Sequence, residues 1–226
     1  MKGVFITGTD TGVGKTLAAC ALIHALAAHG VATTPMKPIA AGADAIGGDL
    51  LNDDTRSLLE AAGRDPAFAA QATPILLRAP MAPHIAARRE GVAITLDPVL
   101  AAFERSVAEA KFMVVEGVGG FRVPLGEALD TVDLAQALAL PVVLVVGMRL
   151  GCLNHALLTV QAIKSAKLKL AGWIASTVDP HMAGLDENVD ALRTRIGAPL
   201  LGRLPYMPKP DARALAASLD VRPLIE

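Results

Sequence analysis

The sequence predicts an α/β fold in which a mostly parallel β-sheet carries helices on both faces. Short segments that are apolar throughout alternate along the chain with longer segments of helical periodicity. Strands of a parallel sheet have this continuous apolar character because helices bury both of their faces. The chain has 226 residues, of which 53% are hydrophobic and 19% are charged. This size and composition exclude disorder and predict one domain over residues 1–226 with a large core.

Composition and charge also exclude several classes of function. Lys and Arg number 21 against 22 Asp and Glu, which removes the electrostatic basis for binding nucleic acid or an anionic membrane. No stretch approaches the roughly 20 apolar residues that span a bilayer, and the amino terminus lacks the pattern of a secretory signal. Two cysteines do not make a disulfide framework in a chain of this length. We therefore expect a reduced, cytoplasmic protein without a nucleic-acid or membrane partner.

The amino-terminal half begins with a strand–helix–strand pattern and then becomes less regular. Leucines and alanines recur at i, i+3 and i+4 spacing after Lys15, which indicates a helix that ends at Gly30. Residues 42–98 are less periodic and are punctuated by proline. The predicted elements of this half are strands at 2–7 and 31–36, helices at 15–29 and 52–62, and a proline-rich loop at 78–84.

The carboxyl-terminal half alternates regularly between helices and strands. Asp97 and Pro98 suit the N-cap and the first position of a helix, and the run at 141–146 is the strongest signal of a buried strand. The predicted helices of this half are 97–111, 133–140, 153–166, 186–196 and 211–219, and the predicted strands are 112–115, 141–146, 170–175 and 200–204.

A glycine-rich segment between the first strand and the first helix has the pattern of a phosphate-binding loop. It reads Gly8-Thr-Asp-Thr-Gly-Val-Gly14-Lys15-Thr16, with five residues instead of the usual four between Gly8 and Gly14. Glycines let backbone N–H groups turn towards phosphate, and the helix dipole adds positive potential. Lys15 would neutralise phosphate charge and the Thr16 hydroxyl would bind Mg²⁺. A glycine-rich turn with an incidental lysine is the alternative, which the strand–loop–helix context disfavours.

Lys37 and Glu116 each follow a predicted strand, and the carboxyl ends of parallel strands meet at one edge of the sheet. We therefore expect both side chains to face the loop that carries Lys15. A carboxylate at the end of a buried strand is costly unless a positive charge faces it, and nucleotide-bound Mg²⁺ would supply that charge. A structural salt bridge or an exposed strand end is the alternative for Glu116, and a solvated side chain is the alternative for Lys37.

An acidic cluster precedes and begins the predicted helix at 52–62. It comprises Asp49, Asp53 and Asp54. Helix N-termini favour Asp, so capping accounts for one or two of the three without a functional role. Which of them reaches a metal ion, if any does, stays open at this stage.

Taken together, the motifs resemble the dethiobiotin synthetase family, whose fold is a single-domain P-loop NTPase-like parallel sheet. The matching segments, in chain order, are Gly8-Thr-Asp-Thr-x-Val-Gly-Lys-Thr16, Lys37-Pro-x-Ala-x-Gly42, Asn52-x-Asp54, Ala82-Pro-His-Ile85, Val115-Glu-Gly-x-Gly-Gly120, Leu150-Gly-Cys-x-Asn-His155, Ala171-Gly-Trp-x-Ala175 and Ala198-Pro-Leu-Leu-Gly202. They cover nearly the whole chain. The resemblance implies ATP- and Mg²⁺-dependent carboxylation and ring closure of 7,8-diaminononanoate with CO₂. The products are dethiobiotin, ADP and phosphate, formed through a carbamate and a carbamic–phosphoric anhydride in the penultimate step of biotin synthesis.

The resemblance also implies the roles of individual residues. Catalytic roles fall to Thr11, Lys15 and Lys37, and Mg²⁺ ligation to Thr16, Asp54 and Glu116. The nucleotide would contact Asp10, Thr11, Gly12, Val13, Gly14, Lys15, Thr16, Leu17, Glu116, Ser176, Pro205, Tyr206 and Asp211. The diamine would contact Thr11, Lys37, Ala41, Gly119, Gly151, Cys152 and Asn154. In the family, the segment at 151–154 reaches the substrate carboxylate across a homodimer interface.

Two positions depart from the family pattern, and three residues have simpler interpretations. Ala41 stands where many relatives have Ser, and Ser176 stands where Asn commonly contacts adenine. A Ser hydroxyl cannot pair with adenine at two atoms as an Asn amide does, so we expect looser base discrimination. His84, in the proline-rich loop, is either structural or catalytic. Cys152 is a small buried residue more readily than a nucleophile, and Asn154 also suits a plain N-cap.

Three other functions compete with this interpretation. A partitioning-type P-loop ATPase would carry a signature lysine five residues before Lys15, where this chain has Asp10. An amidotransferase-type synthetase needs a glutaminase domain, for which we expect no room in 226 residues. A nucleotide-dependent interaction module without chemistry would not require Lys37 and Glu116 beside Lys15.

Overall fold

A six-stranded parallel sheet forms the centre of the computed structural model, which describes residues 2–46 and 49–226. The strands are, in chain order, β1 (Lys2–Gly8), β2 (Thr33–Met36), β3 (Ile39–Ala41), β4 (Asp44–Ile46), β5 (Asp49–Leu51), β6 (Ile75–Leu77), β7 (Phe112–Glu116), β8 (Val142–Met148), β9 (Leu170–Thr177) and β10 (Leu200–Leu204). The helices are α1 (Lys15–Ala28), α2 (Asp53–Ala61), α3 (Ala69–Ala72), α4 (Pro83–Glu90), α5 (Asp97–Glu109), α6 (Thr131–Leu138), α7 (Cys152–Ser165), α8 (Leu185–Arg195), α9 (Ala212–Leu215) and α10 (Arg222–Ile225).

The order of the central strands, β10-β9-β8-β1-β7-β2, places β1 between two fully buried neighbours. Ile6 is paired with Glu116 of β7, and Gly8 is paired with Val145 of β8, both in parallel register. All carboxyl ends of this sheet therefore share one edge, and the loop after β1 leaves the sheet between two neighbouring strand ends. The prediction of a mostly parallel sheet is confirmed, with β4 and β5 forming a separate antiparallel hairpin.

Apolar layers cover both faces of the sheet, as the continuous apolar strands predict. On one face α1 packs on β1 through Leu22 and Leu26, both fully buried, beside Ile6. On the other face, Phe5 and Trp173 lie in two further apolar clusters. Truncating a fully buried leucine such as Leu22 to alanine would cost about 2–5 kcal/mol.

The structure corrects the sequence predictions at three helix starts. Residues 83–90 form α4, although the sequence predicted a loop as far as residue 84 and no helix after it. Pro83 lies in the first turn of α4 and Gly91 ends it with a φ of 67°, which are ordinary helix boundary signals. Asp97 is the first residue of α5 and not its N-cap. Helix α6 begins two residues earlier than predicted because Asp130 forms a capping box with Asp133.

Two further helix ends also differ from the prediction. Gly151, with a φ of 94°, is the N-cap of α7, so the simple interpretation of Asn154 as an N-cap is wrong. The predicted helix at 211–219 divides into α9 and a 3₁₀ turn at Ala216–Ser218, and Asp211 caps α9. Among the described residues, no helix combines the length and the hydropathy needed to cross a membrane.

Candidate active site

The phosphate loop joins β1 to α1 at the carboxyl edge of the sheet. Gly14 is the N-cap of α1 and has a φ of 82°, a conformation that glycine adopts without steric cost. A Cβ atom at Gly14 would also lie 2.8 Å from Ser176 Oγ. Both the backbone conformation and this contact therefore disfavour a larger residue. Lys15 is 7% exposed and its Nζ donates a hydrogen bond to the Asp10 carbonyl oxygen at 3.2 Å. The backbone of the loop thus holds the Lys15 ammonium in place.

A charged cluster, defined as Lys15, Thr16, Lys37, Asp54 and Glu116, lies beside this loop. Lys37 Nζ is 2.6 Å from Glu116 Oε1 and 2.9 Å from Asp54 Oδ2. Thr16 Oγ1 lies 2.8 Å from Asp54 Oδ1 and 3.0 Å from Glu116 Oε1. Since a hydroxyl has one proton, Thr16 donates to one carboxylate at a time. The expected convergence of Lys37 and Glu116 on the loop is therefore confirmed.

Burial and mutual attraction set the charge states of the cluster. Burial disfavours the charged form of Lys15 and lowers its pKa below the usual value, although Glu116 acts in the opposite direction. Burial alone would lower the pKa of Lys37 too, but the carboxylates of Glu116 and Asp54 outweigh it and raise that pKa. Burial alone would raise the pKa of Asp54, but the attraction of the Lys37 ammonium outweighs the effect of burial, so the pKa of Asp54 is lowered. Lys37 and Asp54 are thus held as an ion pair.

Local structure explains why Asp54 belongs to the cluster. Asn52 caps α2 by accepting hydrogen bonds from the Asp54 and Thr55 N–H groups, and its own amide donates to the Gly42 carbonyl oxygen at 2.7 Å. These bonds orient the first turn of α2 towards the phosphate loop. Asp53, by contrast, pairs with Arg56 on the surface. The side chain of the third candidate, Asp49, lies outside the part of the chain that the structure describes.

The cluster has the chemistry of a magnesium site. Its hydroxyl and two carboxylates are the hard oxygen donors that Mg²⁺ prefers. Glu116 is 1% exposed, and among the described residues its Oε2 atom has no hydrogen-bond partner. A buried carboxylate oxygen without a donor is costly, and a cation would remove that cost. The residues present therefore fit the ion.

A cavity of about 770 Å³ opens next to the cluster. Charged and polar side chains form one part of its lining, and Pro80–Pro83, Val118 and Val123 form an apolar wall. This apolar wall was not predicted from the sequence, although the match of residues 82–85 to the family pattern could have pointed to it. Predicted site residues in the lining are Thr11, Gly12, Gly14, Lys15, Thr16, Lys37, Ala41, Asp54, Glu116 and Gly119.

The remaining predicted site residues lie outside this lining. We refer to residues 149–154, Ser176 and residues 205–211 as the outer segments. Tyr206 is 47% exposed, and Asp211 accepts hydrogen bonds from the first N–H groups of α9. Ser176 is buried against Gly14, and Asn154 is exposed in the first turn of α7. The other predicted residues outside the lining are Asp10, Val13, Leu17, Pro205, Gly151 and Cys152.

Two residues that the sequence left ambiguous have clear surroundings. Burial raises the pKa of the Cys152 thiol, and its Sγ lies 3.9 Å from Asn188 Oδ1, so the residue has the environment of a core side chain. His84 is part of α4, where its Nδ1 lies 3.2 Å from the Pro124 carbonyl oxygen. That contact joins α4 to the segment between β7 and α6 and does not involve the charged cluster.

The chain is similar to a family and to two enzymes over nearly its whole length. The AAA domain family matches residues 2–214. The ATP-dependent dethiobiotin synthetase BioD of Aromatoleum aromaticum is 54% identical over 215 residues, which cover 95% of both chains. The enzyme of the same name from Ralstonia nicotianae is 54% identical over 221 residues, which cover 98% of this chain and 96% of the relative.

Solved structures with much lower identity share the fold alone. The MinD cell division protein of Aquifex aeolicus aligns with a TM-score of 0.56 at 16% identity, covering 92% of this chain and 84% of its own. A ParA family ATPase from Chlorobium tepidum aligns with a TM-score of 0.55 at 15% identity, covering 97% and 91%. The P-loop NTPase architecture is therefore confirmed. Because its 54% identity to the two synthetases extends over at least 95% of its length, the chain belongs to the ATP-dependent dethiobiotin synthetase family.

Proposed function

We propose that the chain closes the ureido ring of dethiobiotin from 7,8-diaminononanoate, CO₂ and ATP, with Mg²⁺ as cofactor. The observation that carries the proposal is the meeting of two lysines, two carboxylates and a phosphate loop beside a cavity with an apolar wall. The cationic part of the cavity suits the carbamate and the transferred phosphoryl group. The apolar wall suits the methylene chain of the diamine.

The chemistry needs stabilisation of negative charge more than proton transfer. One amine takes up CO₂ as a carbamate, whose oxygen attacks the γ-phosphorus and releases ADP. The second amine then attacks the carbonyl carbon of the mixed anhydride and displaces phosphate. Lys37 remains an ammonium at neutral pH because its pKa is raised, so it acts as a fixed positive charge and not as a base. Lys15 and the loop N–H groups would hold the phosphates.

Thr16, Asp54 and Glu116 would hold Mg²⁺ in this proposal. When bound, the ion supplies positive charge that offsets the charge of the phosphate oxygens. Thr16 Oγ1 and Glu116 Oε1 already lie 3.0 Å apart, and Glu116 Oε2, which has no hydrogen-bond partner among the described residues, is the atom that would bind the cation. Thr11, Ala41 and Gly119 would contact the diamine from the walls of the cavity.

The outer segments complete the proposed site. We assign the base and ribose of ATP to Ser176, which lies against Gly14, and to residues 205–211, which follow β10 directly after Leu204, the residue paired with Ser176. Residues 151–154 of a second copy would bind the carboxylate of the diamine across a homodimer interface. Leu150, next to that segment, is 96% exposed, and a second copy would remove this apolar side chain from water.

Incubation with ATP, Mg²⁺, radiolabelled bicarbonate and 7,8-diaminononanoate tests the proposal. We expect acid-stable label in a product that comigrates with dethiobiotin, since a free carbamate loses CO₂ in acid and the ureido ring does not. Parallel reactions without diamine, and with a non-hydrolysable ATP analogue, should give none. Absence of acid-stable product in the complete reaction would contradict the assignment.

A second assay separates this function from that of a partitioning-type ATPase. The comparison is worth making because ParA and MinD share the fold. That class would hydrolyse ATP without diamine, with stimulation by DNA or anionic vesicles. We expect no such stimulation, because Asp10 occupies the place of the signature lysine and the net charge of the chain is -1.

A further inference from the structure

The phosphate loop contains a carboxylate, Asp10, where a triphosphate would bind. The residue shapes the loop at two points. Its carbonyl oxygen accepts the Lys15 Nζ hydrogen bond at 3.2 Å, and its Oδ1 atom accepts the Thr11 N–H at 2.7 Å. A negative side chain in this position repels phosphate, so the loop needs a compensating charge.

Arg149, from the neighbouring end of β8, supplies a positive charge to this carboxylate. The residue directly follows β8, and its Nη2 atom donates to Asp10 Oδ2 at 2.5 Å. Its carbonyl oxygen accepts the Cys152 N–H at 3.0 Å, which holds Arg149 in the turn that begins α7. The pair thus connects the phosphate loop to the first turn of α7.

The end of β8 also touches the loop through backbone contacts. A Cβ atom at Gly147 would lie 2.6 Å from Val13 Cγ1, so only glycine leaves room for the loop here. The Gly147 N–H donates to Thr9 Oγ1 at 3.3 Å, and the Thr9 N–H donates to the Val145 carbonyl oxygen at 3.0 Å. Arg149 is therefore the last in a series of contacts that fasten the loop to β8.

We propose that Arg149 is a positioning residue for nucleotide binding, which neutralises Asp10 and thereby lets the loop keep a carboxylate and still accept phosphate. The inference rests on ATP binding as given under the proposed function. Arg149 acts through Asp10 in this account and does not contact the nucleotide. The side chains of the pair are 39% and 46% exposed, so its contribution to the stability of the fold is small.

Equilibrium binding of ATP to Arg149→Ala, Asp10→Asn and the double variant tests the role. At about 0.03 M salt we expect Arg149→Ala to raise the Kd for ATP about tenfold, because an unpaired carboxylate then faces the phosphates. In the Asp10→Asn background the same change should alter Kd by less than about twofold, because no carboxylate is left to compensate. Arg222→Ala breaks a comparable ion pair with Asp220 and is the matched control, with unchanged Kd expected.

The salt dependence of the Kd for ATP and the steady-state kinetics of the Arg149 variants distinguish charge compensation from a structural role. The Arg149→Ala penalty should shrink at about 0.5 M salt, and Arg149→Lys should recover most of the affinity. Turnover by Arg149→Ala should show a raised KM for ATP with kcat within about threefold of wild type.

Wild-type affinity in Arg149→Ala would overturn the inference, and so would an equal penalty with and without the Asp10 carboxylate. The latter result would show that Arg149 binds the nucleotide directly or supports the fold. Because ATP binding is measured without diamine, these outcomes are distinct from a failure to form dethiobiotin.

Discussion

The charged cluster and the outer segments differ in how far burial and ion pairing within the chain hold their side chains. In the cluster, Lys15, Lys37 and Glu116 are 7%, 3% and 1% exposed, and Lys37 bonds both carboxylates within 3 Å. In the outer segments, Leu150 is 96% and Tyr206 47% exposed and Asn154 is open to solvent, whereas Ser176 is buried.

The difference matches the roles proposed for the two regions, which are chemistry for the cluster and recognition for the outer segments. Charges that stabilise a transition state act best when they are buried and already in place, since little reorganisation is then needed. Residues that recognise a base or a carboxylate gain their partners only when the ligand, or a second chain, arrives. We therefore expect changes in the cluster to affect turnover most, and changes in the outer segments to affect selectivity.

Lys37→Ala should show the largest effect. We expect turnover to fall about 10²–10³-fold or more, because a preorganised charge next to the reacting groups is lost. ATP binding should largely persist, since Lys15 and the loop backbone still hold phosphate. Steady-state kinetics and calorimetry measure the two quantities. Lys111→Ala is the control, because that exposed lysine precedes β7 at the opposite edge of the sheet. Turnover close to wild type would disprove the role of Lys37.

Glu116→Gln should show the next largest effect. The amide keeps the shape of the side chain but removes the negative charge, so we expect the Mg²⁺ concentration for half-maximal activity to rise by at least about tenfold. Magnesium-dependent binding of ATP, followed by calorimetry, should shift in parallel. Glu109→Gln, at the exposed end of α5, should leave both curves in place. An unaltered Mg²⁺ dependence in Glu116→Gln would remove Glu116 from the proposed ligands.

Ser176→Asn tests whether the outer segments set the selectivity for the base. An Asn amide can pair with two atoms of adenine, so the ratio of kcat/KM for ATP to that for GTP or CTP should rise about tenfold. The control is Ser165→Asn, at the exposed carboxyl end of α7. If wild type and Ser176→Asn prefer ATP to the same degree, residue 176 does not set base discrimination.

The pH dependence of ATP binding should show the smallest effect. Burial lowers the pKa of Lys15, and only the protonated lysine attracts phosphate, so affinity should fall as pH rises towards that lowered pKa. We expect a severalfold increase in Kd at pH values below the ordinary lysine pKa of about 10.4, where an unperturbed lysine is still mostly charged. In Lys15→Arg the side chain cannot lose its proton, and the pH dependence should disappear. A wild-type Kd that is constant over this range would indicate that the lysine stays charged.

Local patterns were sufficient for most of the fold. The apolar runs at 2–7 and 141–146 predicted β1 and β8 because a strand buried on both faces is apolar at every position. The same patterns failed at α4, where prolines that begin a helix resemble prolines in a loop. They also failed in the region of the β4–β5 hairpin, whose three-residue strands are too short to show a period.

The features of the site also divide into those that local patterns predicted and those that only packing decided. The sequence by itself determined the phosphate loop and the placement of Lys37 and Glu116 at one edge of the sheet, because strand ends and a glycine-rich loop are local features. The family resemblance already pointed to Asp54 within the acidic cluster, and the tertiary structure adds its contact with Thr16. Tertiary structure alone paired Arg149 with Asp10 and, among the described residues, left Glu116 Oε2 without a donor. Those contacts join residues 38 and 139 positions apart. Periodicity along one segment carries no information on which side chains of two distant segments meet, and only packing of the sheet and its helices decides that.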